Sequence, residues 1–367
     1  MASEQFKPDN RGEQDTLSFP ETKEEVKERA FMVLDAYGKR AVPVLRDMVR
    51  KGEGRQVIAT VPGRKEDRQL GIDATGEHML TGLVRDLNLP AVIRGEHNDY
   101  RSENMDSLKP GGHYVILPID SFDNTSQYQK DLDTSPYTVV SAFFNGEEGE
   151  PIGGVVGDIK DNRVYMINRQ GHPVVLDLET GEERRIFKSN ISDIRDPDFT
   201  LATYLGSNEY SLEFWVCYRH LIREMDPKGI LYAGGGAFVP ALVARGAAVA
   251  YVMFNEPRTE TDAGAGLALL AGLDVVTVDR ETYEITPYRF DVSKHGTRDQ
   301  LFIMSNERAT TEKLVEELRT GDRIIAESEW LANFGKAVLR LRPDLAGALA
   351  EEIGKLPDSL SNPPVGN

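Results

Sequence analysis

The chain contains one cysteine in 367 residues, Cys217, so no disulfide can form within it. The thiol sits inside the apolar stretch "LEFWVCYRHLI", where a buried side chain is expected rather than a nucleophile. Such sparing use of cysteine fits a reducing cytosol. No run reaches the roughly 20 apolar residues that span a bilayer, and the opening residues lack the apolar core of a secretion signal. The expectation is a cytoplasmic chain, neither exported nor inserted. Basic residues are outnumbered: Lys and Arg total 43 against 60 for Asp and Glu, a net charge of −17. That balance argues against a broad grip on nucleic acid or an anionic membrane and leaves any anionic ligand to a local device. Two nucleotide-binding devices are also missing. There is no "GxxxxGKS" phosphate loop, and "GAGLALLAG" follows an acid-bearing loop instead of the strand that a dinucleotide fingerprint requires.

What is present divides into recognisable stretches. The polar opening "MASEQFKPDNRGEQDTLSFP" shows little periodicity and reads as a mobile arm. From Glu21 to Lys51 apolar residues such as Val26, Ala30, Val33, Leu34 and Tyr37 recur at helical spacing, predicting a long helix bent near Pro43. A second helix is predicted over Ala74–Leu87, with Asp73 just before it as a cap. Beyond Pro110 the runs "HYVILPI", "YTVVSAFF", "PIGGVVGDI", "NRVYMIN" and "PVVLDL" are separated by short polar turns, which predicts an antiparallel sheet. After Asp196 helical and extended patterns alternate, as in a layered α/β unit, and the tail beyond Ile324 reads as helical.

The chemistry gathers at the ends of predicted strands. In "ILPIDSFDNT" an apolar run breaks into Asp120 and Asp123, where carboxylates and an intervening carbonyl suit Mg²⁺, which takes oxygen ligands in octahedral geometry. Taken alone, such a pair is more often a polar turn whose aspartates cap backbone amides. Glu96 follows the apolar "LPAVIRG" and Asp262 opens "DAGAGLALLAG", the first otherwise a solvated loop acid and the second an N-cap.

In order, Asp73, the "GEH" of Gly95 to His97, "IDSFDNT", and Asp262 with Gly266 beyond it resemble the inositol monophosphatase and fructose-1,6-bisphosphatase superfamily. In that superfamily a helix-leading aspartate precedes "GEE", "DPIDGT" and "WDxAAG" motifs. The resemblance runs from about Thr22 to Leu318 and extends to "PIGGVVGDIKDNRVY", "GGGAFVPALVARGAAVAYV" and "FIMSNERATTEKLVEEL". Aligning "DSFDNT" with "DPIDGT" keeps both aspartates and Thr125, whereas aligning "LPID" with "DPID" would place Leu117 on a metal ligand. The departures are Ser121, Phe122, Asn124, His97, Thr261 and Gly235, where the superfamily has proline, another apolar residue, glycine, glutamate, tryptophan and serine.

The resemblance implies an α+β / α/β chain, a layered α-β-α-β-α sandwich of the sugar phosphatase type with an antiparallel N-terminal sheet and a mixed C-terminal sheet. It divides the chain into an N-terminal metal-binding half (21–195) and a C-terminal substrate half (196–323), flanked by the arm (1–20) and a helical extension (324–367) that it leaves unaccounted for. It implies that Glu96, Asp120, Asp123, Asp262 and the carbonyl of Phe122 hold two or three Mg²⁺, and that Thr125 with Asp73 eases a proton from the attacking water. The amides of Asn124 and Thr125 would face the phosphate. Selectivity is expected from Gly234, Gly235 and Gly236, whose backbone can approach a ligand closely, and from Glu256 as an acceptor for a substrate hydroxyl. The glycines otherwise serve a tight turn into a helix, and Glu256 solvent. Arg258 either meets a second phosphate or sits exposed on a loop. The leading function is Mg²⁺-dependent hydrolysis of a small inositol, sugar or nucleotide phosphate. The alternative is a catalytically altered relative that binds a phosphorylated metabolite or a protein partner. A homodimer and sensitivity to lithium are implied by resemblance alone.

Overall fold

Thr22 and Glu25 cap the first helix reciprocally, the threonine hydroxyl accepting the Glu25 amide at 3.2 Å and the Glu25 carboxylate accepting the Thr22 amide at 3.0 Å. In the computed structural model this helix runs over Lys23–Lys51, carries Pro43 in its interior and buries Val26, Ala30, Val33, Leu34 and Tyr37. The structure describes residues 18–61, 64–95, 99–132, 135–146, 149–205 and 218–326. The readings for Glu96, His97 and Cys217, for most of the arm and for the tail beyond Ala326 lie outside the described residues.

A small hairpin of β1 (Val57–Val61) and β2 (Arg64–Leu70) leads into the helix Gly71–Asp86. Eight strands then form the first sheet: β3 (Ala91–Gly95), β4 (Asp99–Arg101), β5 (Val115–Asp123), β6 (Tyr137–Phe144), β7 (Pro151–Asp158), β8 (Arg163–Ile167), β9 (Pro173–Asp177) and β10 (Glu183–Arg185). Their order is β10-β9-β8-β7-β6-β5-β3-β4, and every neighbouring pair is antiparallel except β3 with β5. The second sheet comprises β11 (Thr200–Ala202), β12 (Ile230–Tyr232), β13 (Ala250–Pro257), β14 (Asp274–Val278), β15 (Ile285–Pro287) and β16 (Arg298–Ser305). Its order is β12-β11-β13-β16-β14-β15, and it is mixed, because β11 runs parallel to both β12 and β13 while the other pairs are antiparallel.

Three apolar clusters stack these elements into layers. The first two helices bury Val33, Tyr37 and Leu80 against Leu117, Val140 and Val155 of the first sheet. On its other face, Val139, Phe143 and Val156 meet the helices Val239–Ala244 and Arg258–Leu270, which also cover Tyr251, Phe302 and Met304 of the second sheet. The far face of that sheet is closed by Leu221 and by Leu314 and Leu318 of the helix Arg308–Ala326. The layering is therefore α-β-α-β-α.

The middle layer depends on missing side chains. Ser141 donates its hydroxyl to the Ala263 carbonyl at 2.5 Å and accepts the Gly266 amide at 2.9 Å, so a strand of one sheet bonds directly to helix backbone. A Cβ on Gly154 would overlap the amide nitrogen of Leu267. Gly154→Ala is expected to lower the unfolding free energy by about 2 kcal/mol, since backbone rather than a flexible side-chain tip must yield. Gly82→Ala, in open helical surroundings, should raise it by up to about 1 kcal/mol. Urea unfolding of both variants checks the pair, and equal stabilities would contradict the close packing.

Candidate active site

The site is built at the end of β5, whose run Val115–Ile119 alternates between the two cores, Leu117 in the first and Ile116 in the second. Asp120 lies opposite Val139 and Asp123 opposite Tyr137, so the ladder slips between the two aspartates. A bulge of this kind re-aims side chains at a strand end. Asp120 is half-buried and its Oδ1 accepts the Phe122 amide at 3.2 Å. Asn124 follows in the left-handed region, φ 76° and ψ 27°, and its side chain donates to the Ser135 carbonyl at 3.1 Å. Asparagine tolerates this conformation better than most residues, so the turn is made without glycine.

Thr125 begins the next short helix and couples this turn to the second helix. Its Oγ lies 3.1 Å from Oδ1 of Asp73 and 2.6 Å from the Phe122 carbonyl. The other Asp73 oxygen accepts the Leu70 amide at 2.6 Å, and Asp73 is buried. The helix begins at Gly71, so Asp73 stands in its first turn instead of before it. It satisfies the amide of Leu70 from inside while reaching Thr125. The two elements come this close because Gly76 packs on Ser121, where a Cβ would lie 2.9 Å from the serine Cβ.

Asp123 is 8% exposed and accepts the Phe238 amide at 3.2 Å. A Cβ on Gly236, whose φ is +126°, would lie 2.7 Å from its carboxylate. The three glycines leave room that protein atoms fill: Cβ atoms would stand 2.5 Å from the Tyr232 ring at Gly234 and 2.6 Å from Tyr204 at Gly235. Glu256 is only 2% exposed and accepts the Tyr251 hydroxyl at 2.8 Å. Burial first, and then the nearby charge of Asp123, pushes its carboxyl up to about 8. It lines a small pocket with Gly236, Tyr251, Glu260 and Thr261.

Asp262 has a different set of partners. Its helix begins at Arg258 because Pro257 closes β13 in an extended conformation, and Asp262 therefore falls in the second turn. It is fully buried; its Oδ1 accepts the Tyr288 hydroxyl and lies 3.4 Å from Arg258 Nη2, and its Oδ2 lies 2.8 Å from His295 Nδ1. Arg258 is buried too, 4.4 Å from the Tyr288 ring centroid and 3.4 Å from Asp299, which replaces both sequence-based readings of this arginine. His295 Nε2 is buried with no hydrogen-bond partner among the described residues.

The structure thus brings Asp73 to Thr125 and places Asp123 beside Gly236 and Glu256, while Asp262 is committed to Arg258, Tyr288 and His295. Hard carboxylate oxygens at Asp120 and Asp123 suit Mg²⁺, and the Phe122 carbonyl keeps a second lone pair beyond its bond to Thr125. Asp262 is engaged instead by Arg258, Tyr288 and His295. Among the described residues no group of three or more His, Cys, Asp or Glu is arranged to hold a metal. Sequence reasoning missed Tyr251, Tyr288, His295 and Asp299. One signal was readable: once Pro257 is taken as the strand end, Arg258 and Asp262 stand at the i, i+4 spacing of a helical ion pair.

Two sheets sandwiching a helical layer, with acids at a strand end, define the layered sugar phosphatase type of fold. Solved structures specify it further. The extragenic suppressor protein SuhB from Bartonella henselae matches with a TM-score of 0.57 at 20% identity, over 80% of this chain and 99% of its own. A protein described as IMPase/NADP phosphatase, complexed with Mg²⁺ and phosphate, matches at 0.56 and 14%, over 79% and 95%. Staphylococcal inositol monophosphatase-1, in a LiCl-soaked inhibitory complex, matches at 0.56 and 15%, over 79% and 94%. This chain has the inositol monophosphatase fold. No protein-family model and no curated protein matches the sequence.

Replacing Asp262 tests its structural assignment. Asp262→Asn keeps the volume but leaves Arg258 buried against one fewer charge, so the unfolding free energy should fall by about 3 kcal/mol while Mg²⁺ binding persists. Urea unfolding and calorimetric titration with Mg²⁺ read the two effects. Unchanged stability with lost Mg²⁺ binding would instead restore the role implied by resemblance.

Proposed function

We propose that this chain is a Mg²⁺-dependent phosphoric monoester hydrolase acting on a small inositol, sugar or nucleotide phosphate. The observation that carries the reading is the hydrogen bond from Thr125 to the buried Asp73, beside Asp120 and Asp123 at the end of β5. The shared fold, found in one protein complexed with Mg²⁺ and phosphate, supports it. Mg²⁺ held by Asp120, Asp123 and the Phe122 carbonyl, with Glu96 as a further ligand, would supply positive charge for the phosphoryl oxygens and lower the pKa of a bound water.

The chain's own residues then manage the proton. The Thr125 hydroxyl has one proton and two acceptors, Asp73 and the Phe122 carbonyl. Passing it to Asp73 frees the oxygen to accept a proton from the attacking water. Asp73 stays oriented because its second oxygen is held by the Leu70 amide. The amides of Asn124 and Thr125 are assigned to the phosphate in this reading. A homodimer in the cytoplasm belongs to the same proposal.

One observation favours a second reading, a catalytically altered relative that binds a phosphorylated metabolite or a protein partner: Asp262 is turned into the protein. Phosphate release with Mg²⁺ across inositol, sugar and nucleotide monophosphates separates the two. The expected outcome is turnover on at least one ester, abolished in Asp120→Asn and slowed by about 100-fold in Thr125→Ala. LiCl should inhibit more than NaCl at equal ionic strength. Retained Mg²⁺ binding without turnover on any ester would favour the binding protein.

A further inference from the structure

The glycine segment that ends in Phe238 is held from both sides, and Asp123 lies between the two holds. On one side the Phe238 amide donates to Asp123 at 3.2 Å, while the Phe238 ring stacks on Tyr137 with centroids 4.3 Å apart and an angle of 3°. Tyr137 is the cross-strand partner of Asp123, so the ring that fixes the donor is fixed by the strand carrying the acceptor. On the other side the glycine backbone packs on the Tyr251 oxygen, and Tyr251 donates its own proton to Glu256 Oε1 at 2.8 Å. A Cβ on Gly235 would lie 2.7 Å from that tyrosine oxygen, so the backbone is pressed against it. Gly236 in turn lies against the carboxylate of Asp123.

We propose that Tyr251 and Glu256 are a positioning pair for Asp123, acting through the backbone of Gly235 and Gly236. A phenol is needed because its oxygen fills the space against the glycine backbone while its proton is held by an acceptor beyond. The onward acceptor must itself be buried and fixed, which Glu256 on the same strand provides. This assigns Glu256 a task behind the site in place of contact with a substrate hydroxyl. The proposal rests on the reading of Asp123 as a cation-holding carboxylate.

The test uses the full chain and Mn²⁺ alone as the probe, with free Mn²⁺ counted by electron paramagnetic resonance. Tyr251→Phe keeps the ring and removes the oxygen; its Kd for Mn²⁺ should rise about tenfold, with an unfolding midpoint close to that of the parent. Glu256→Gln retains an acceptor for Tyr251 and should bind as the parent does, whereas Glu256→Leu should bind like Tyr251→Phe. On an ester the parent hydrolyses, Tyr251→Phe should lower kcat about tenfold with KM within twofold. Equal Mn²⁺ affinity in Tyr251→Phe and the parent overturns the proposal. So does a crystal structure of Tyr251→Phe in which Gly236 and Phe238 keep their places on Asp123, a result that stands whether or not the chain binds Mn²⁺. A parent that binds Mn²⁺ but hydrolyses nothing sinks the phosphatase reading alone, since the affinities of the variants still decide the role of Tyr251.

Discussion

The contact on which the architecture depends is the one between Ser141 of the first sheet and the backbone of the helix Arg258–Leu270. The short Ser141 side chain reaches helix backbone only if nothing bulkier stands in the seam, and Gly154 and Gly266 clear that space. The cost is conformational freedom lost at both glycines on folding. What offsets it is a helix close enough to both sheets for Ala263, Ala265 and Leu267 to share one core with Val156 and Met304. The second sheet is therefore not merely tethered to the first. Its β13 carries Tyr251, bonded to Glu256, into contact with the glycine segment that meets Asp123.

Buried acids in this chain are stabilised in different ways, and the differences separate their roles. Asp73 is served by a backbone amide and a hydroxyl, both of which leave its charge in place. Asp262 is served by Arg258, by the phenol of Tyr288 and by His295, a set that places an opposite charge within the protein itself. Glu256 is shifted toward its neutral form because burial and Asp123 oppose ionisation there. A carboxylate already matched by a buried guanidinium gains less from a metal ion than one served by an amide. On that ground Asp123, facing the Phe238 amide, is the better cation ligand of the two.

Much of this was legible in the sequence where spacing alone decides the outcome. The apolar run in "HYVILPI" indicated a buried strand, and the turn at Asn124 followed from a residue that tolerates a left-handed backbone. Preferring the alignment that keeps Asp120, Asp123 and Thr125 together agrees with a structure in which Leu117 lies in the core and Thr125 reaches Asp73. What sequence spacing could not convey was direction. Asp262 was read as opening its helix, but Pro257 moves the start to Arg258, and the added turn brings the carboxylate to Arg258, Tyr288 and His295. The glycines were read as space for a ligand, yet only the fold shows which atoms occupy that space.

The same distinction bears on how the site is assembled. Asp120 and Asp123 can be placed by β5 and its bulge, which need only the first sheet and its helices. The orientation of Asp123 cannot, because the Phe238 amide and the Gly236 backbone arrive from the second half of the chain. Both are positioned by groups that pack across the middle layer, Tyr137 on one side and Tyr251 on the other. A loosened seam at Ser141 would shift the second half relative to the first and so displace the contacts on Asp123. Small residues far from the carboxylates therefore belong to the same physical problem as the carboxylates themselves.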